Sequence, residues 1–61
     1  MDNLLVTEAY KAMRKHPCIS SRDVFKDPDP LLAECVKMLL KNGLYLAQAC
    51  RAAVALKREF S

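Results

Sequence analysis

The side chains best suited to covalent or metal chemistry are one histidine, His16, and three cysteines, Cys18, Cys35 and Cys50. A cysteine nucleophile needs a histidine base in contact with it and a third group that orients the base. His16 and Cys18 are close in sequence, but Pro17 lies between them and no orienting group is evident. The sequence therefore predicts no catalytic residues and a protein that is not an enzyme.

The same four residues match in number the four ligands of a structural zinc site. Cys35 and Cys50, however, fall on apolar faces of two different predicted helices, where a cysteine usually packs as a small hydrophobic residue. We therefore predict no metal site and no cofactor. An odd number of cysteines without a C-x-x-C pair favours free thiols in a reducing compartment, which predicts a cytoplasmic protein.

The elements that would position these side chains are predicted from apolar periodicity and from the residues that begin and end helices. Asp2 or Asn3 can cap a first helix, which Pro17 stops. Ser20 can begin a short second helix, with Asp23 in place of the usual Glu or Gln of a capping box. The predicted helices span about residues 3–15, 21–26, 30–42 and 45–59.

The third helix has the clearest boundary signals. Asp29 is its predicted N-cap, Pro30 takes the first helical position, and Gly43 provides the left-handed residue after its end. Apolar residues cover more than half of its circumference, so we expect it to be enclosed on several sides, either by its own chain or by a second copy. Five alanines between positions 47 and 55 favour a helix over a strand in the fourth segment.

Together these segments predict one all-α domain over residues 1–61, a small bundle of three main helices plus one short helix. The third and fourth helices form an antiparallel hairpin in this prediction. A chain of 61 residues buries a small core and is marginally stable alone. We expect it to lack the walls for a small-molecule pocket of roughly 300 Å³, and no stretch is typical of a signal peptide or a membrane span.

An excess of apolar surface on the hairpin is the main functional signal in the sequence. A short chain that cannot cover its apolar faces alone usually buries them against a partner. This favours a small regulatory or adaptor protein that acts by helix-mediated protein binding, as a homodimer or with a helical partner. Some interface residues must also belong to the core. The predicted interface residues are Leu32, Val36, Leu39, Leu40, Ala49, Ala53, Leu56 and Phe60.

The segment EAYKAMRKHPCISSRDVF, followed by a helix that ends in KNGLYL, resembles the start of a winged helix-turn-helix domain, over residues 8–46. The resemblance implies a DNA-binding transcriptional regulator, the alternative function. Leucines at the start of the third helix and an alanine-rich helix where the wing would lie depart from that pattern. The phosphate-contacting residues would be Lys11, Arg14, Lys15, Ser20, Ser21, Arg22 and Lys26.

Overall fold

The computed structural model describes residues 3–60, which fold into an all-α bundle without strands in that range. The predicted fold class is confirmed. The described residues also contain no helix with both the length and the apolar character that a membrane crossing requires. The helices are α1 (Leu4–Lys15), α2 (Asp23–Lys26), α3 (Pro30–Lys41) and α4 (Leu46–Glu59).

The first helix begins and ends at the residues that the sequence indicated. The side chain of Asn3 caps α1 by accepting a hydrogen bond from the backbone N–H of Val6, at 3.2 Å. Asp2, the other candidate cap, lies outside the described residues. At the other end, the N–H of His16 donates to the carbonyl of Ala12, and Pro17 follows. The local capping signals therefore place α1 correctly.

The short helix α2 begins two residues later than predicted. The hydroxyl of Ser20 accepts a hydrogen bond from the N–H of Arg22 at 3.1 Å, and Asp23 accepts one from the N–H of Ser20 at 3.0 Å. Asp23 thus performs the reciprocal bond of a capping box despite its short side chain. The residues between the cap and Asp23 form a turn in which the N–H of Asp23 donates to the carbonyl of Ser20.

Capping at both ends of α3 explains the hairpin that follows it. Asp29 accepts a hydrogen bond from the N–H of Leu31 at 2.9 Å. After the helix, the N–H of Leu44 donates to the carbonyl of Leu39 and the N–H of Gly43 donates to that of Leu40, the two bonds of a Schellman motif. Gly43 has φ +99°, and the chain reverses there into α4, so α3 and α4 form the predicted hairpin.

The fourth helix is the enclosed element of the bundle. Helices α1, α2 and α3 each pack against α4, whereas α1 and α3 make little direct contact with each other. Seven residues of α4, between Ala49 and Leu56, are buried, whereas only two residues of α3, Leu32 and Leu39, are buried. The single chain therefore encloses α4 rather than α3, and enclosure of α3 by a second copy stays a prediction. The reason for the enclosure of α4 is its small side chains, which let neighbours approach it closely from several directions.

We expect the substitution Gly43→Ala to destabilise the fold by roughly 1–2 kcal/mol, because an L-residue is strained in left-handed backbone geometry. A Cβ at this position would meet no atom within 4 Å, so the effect would come from the backbone alone. Urea unfolding at a fixed chain concentration measures the change. Gly43→Asn, which tolerates this conformation better, should lose less. An alanine variant as stable as the wild type would contradict the assignment.

Candidate functional site

A groove opens on α4 because α1 and α3 both pack on this helix without closing over it. Its walls are the first turns of α1 and α3, and its floor is the C-terminal part of α4. The groove has a volume of about 630 Å³ and is mainly apolar. The residues that line it are Leu4, Leu5, Glu8, Asp29, Leu31, Leu32, Cys35, Ala53, Leu56, Lys57 and Phe60.

Large apolar side chains stand at the edges of the groove. Leu4 is 72% exposed, Leu31 is 71% exposed and Phe60 is 80% exposed. The floor residues Ala53 and Leu56, in contrast, are buried. The groove therefore combines an apolar hollow with protruding apolar side chains, which is typical of a surface that binds another protein chain.

The volume of this groove differs from the sequence expectation that the chain lacks walls for a site of roughly 300 Å³. That expectation rested on the small size of the chain alone. Here two helices flank a third and leave a space between them that remains open to solvent. An open groove of this kind needs fewer residues than a closed pocket.

An ion-pair cluster holds the start of α3 against the end of α4, beside the groove. Nζ of Lys57 lies 2.5 Å from Oδ2 of Asp27 and 3.3 Å from Oδ2 of Asp29. The hydrogen bond from Lys57, together with one from the N–H of Asp29, lowers the pKa of the Asp27 carboxyl below its ordinary value. Asp29 also caps α3, so this cluster fixes the position from which Leu31 projects.

A second cluster joins the end of α1 to the end of α4. Glu59 lies 2.9 Å from Nζ of Lys15 and 3.2 Å from Nε2 of His16. A hydrogen bond from Lys15 and a weaker contribution from a hydrogen bond with His16 lower the pKa of the Glu59 carboxyl. The sequence showed no group that could orient His16. In the structure His16 is half-buried and contacts a carboxylate 43 residues away, a pairing that no local pattern could indicate.

The predicted interface residues fall into three groups by their position in the fold. Leu32, Ala53, Leu56 and Phe60 all line the groove, the last as an exposed side chain. Leu39 and Ala49 are fully enclosed in the core of the single chain. The remaining two are away from the groove lining: Val36 is half-buried and Leu40 is partly exposed.

The residues predicted for a nucleic-acid surface lie around the corner between α1 and α2, and most of them have partners. Lys11 pairs with Glu8 at 3.6 Å, Lys26 with Asp23 at 3.8 Å, and Lys15 with Glu59. Ser20 serves as a cap, and Ser21 is half-buried in the turn. Arg14 and Arg22 are exposed and have no ion pair within the described residues. The acids therefore neutralise much of this basic flank.

The sulfur and imidazole groups are dispersed in the fold. Cys18 is exposed, Cys35 borders the groove and Cys50 is buried, and all three are free thiols. Partial burial raises the pKa of the Cys35 thiol. Within residues 3–60, no three or more histidine, cysteine, aspartate or glutamate side chains group so that they could hold a metal ion.

The chain matches no protein-family model, and searches of curated proteins and of solved structures found no match to it. The residues of the groove are therefore the evidence for its function. Its apolar lining and its exposed edges are the features that bear on function.

We expect Lys57→Met to raise the pKa of Asp27 toward its ordinary value, because the variant removes the hydrogen bond that lowers it. The pair stabilises the wild-type fold above the ordinary aspartate pKa, and this contribution is lost as the pH falls through the lowered folded value. The stability difference between wild type and variant should therefore shrink on acidification. Carboxyl NMR titration and thermal unfolding at several pH values measure both effects.

The matched control for this prediction is Lys26→Met, which removes an exposed lysine that pairs with Asp23 instead. This control should leave the titration of Asp27 unchanged. An Asp27 that titrates identically in wild type and Lys57→Met would contradict the proposed pairing.

Proposed function

We propose that this protein is a small, non-catalytic regulatory or adaptor protein that acts by helix-mediated protein–protein binding and self-associates as a homodimer. One observation carries the proposal: among the described residues, the core is rich in alanine, and nine large apolar side chains lie on the surface. Such an arrangement leaves apolar area that a partner chain would cover.

The core supports this proposal by its composition. Of the thirteen buried hydrophobic residues described, six are alanines, and Leu39 is the one large side chain with essentially no exposure. Alanine contributes little apolar area, so the core of a single chain provides limited stabilisation. The buried alanines are Ala9, Ala12, Ala49, Ala52, Ala53 and Ala55.

The surface of the chain also supports the proposal of protein binding. Nine large hydrophobic or aromatic residues in the described range are at least 39% exposed. Single exposed residues of this type are ordinary on protein surfaces. Three of the nine, Leu4, Leu31 and Phe60, line one groove, and such a cluster is typical of an interaction site. The nine are Leu4, Tyr10, Phe25, Leu31, Met38, Leu40, Tyr45, Leu46 and Phe60.

A cytoplasmic location is part of the proposal. The exposed free thiol of Cys18 and the absence of disulfides among the described residues are compatible with a reducing compartment. The partner in such a setting is a second copy of this chain or a helical segment of another protein, with no small-molecule substrate.

DNA binding by a helix-turn-helix regulator is the alternative proposal. The exposed side chains of Arg14 and Arg22, which have no ion pair within the described residues, favour it. The pairing of Lys11, Lys15 and Lys26 with carboxylates weighs against it, because a phosphate would have to compete with each of these acids. The protein-binding proposal is therefore the stronger one.

We expect the wild-type chain, at micromolar concentration, to sediment with twice its 6.9 kDa mass. Its thermal unfolding midpoint should rise with chain concentration, because association stabilises the folded state by mass action. Analytical ultracentrifugation and concentration-dependent thermal scans test the two statements. A chain that remains monomeric at several hundred micromolar would refute self-association.

Against mixed duplex DNA at low salt, we expect no retarded complex in a mobility-shift titration. The alternative proposal predicts the opposite, a complex whose affinity falls steeply with salt as counterions are released. Under that alternative, Arg14→Glu with Arg22→Glu would abolish binding. Lys41→Glu, a charge reversal at the exposed end of α3, is the matched control and would have little effect.

A further inference from the structure

We draw no further inference here: the strongest candidate, the apolar groove between the first turns of α1 and α3 on the C-terminal part of α4, is an unpartnered face, and nothing in the structure shows what covers it.

Discussion

The small side chains of α4 are the constraint on which the rest of this structure depends. Buried alanines of α1, Ala9 and Ala12, belong to the same core as Ala49 and Ala53 of α4, and side chains of this size let helices approach closely. A larger residue at these positions would force the neighbouring helix outward, because closely packed interiors do not absorb added volume. Close approach allows so short a chain to surround one helix.

Two ion-pair clusters lie near the end of α4. Lys57 holds the capping segment of α3 through Asp27 and Asp29, and Glu59 holds the end of α1 through Lys15. Such pairs contribute little stability on a surface. They connect the segment before α3 and the end of α1 to the last turn of α4. Both flanking helices are thus anchored beside the same turns of α4 that form the floor of the groove.

The parts of this fold that were predictable from the sequence are the ones that local chemistry decides. Asn3, Asp29 and Gly43 each act through hydrogen bonds or backbone geometry within a few residues, and the helix boundaries that depend on them were predicted to within one residue. The two-residue error at α2 arose because Asp23, the first residue of the helix, accepts the hydrogen bond from the N–H of Ser20. The residues between Ser20 and Asp23 therefore belong to a turn and not to the helix. The partnership of His16 with Glu59 spans most of the chain, and no spacing rule indicates it.

The groove depends partly on local sequence pattern and partly on how the helices pack together. The stripe that includes Ala53, Leu56 and Phe60 was recognisable from helical periodicity, but the opposing wall depends on how α1 and α3 cross α4, which is a tertiary property. Burying a large apolar side chain contributes roughly 1.5–3 kcal/mol, and a domain of this size is stable by roughly 3–9 kcal/mol in total. A few side chains at the groove edge therefore represent as much free energy as the whole single-chain fold. If a second chain covers them, folding and association share one source of stability, and the concentration of the chain then determines how much of it is folded.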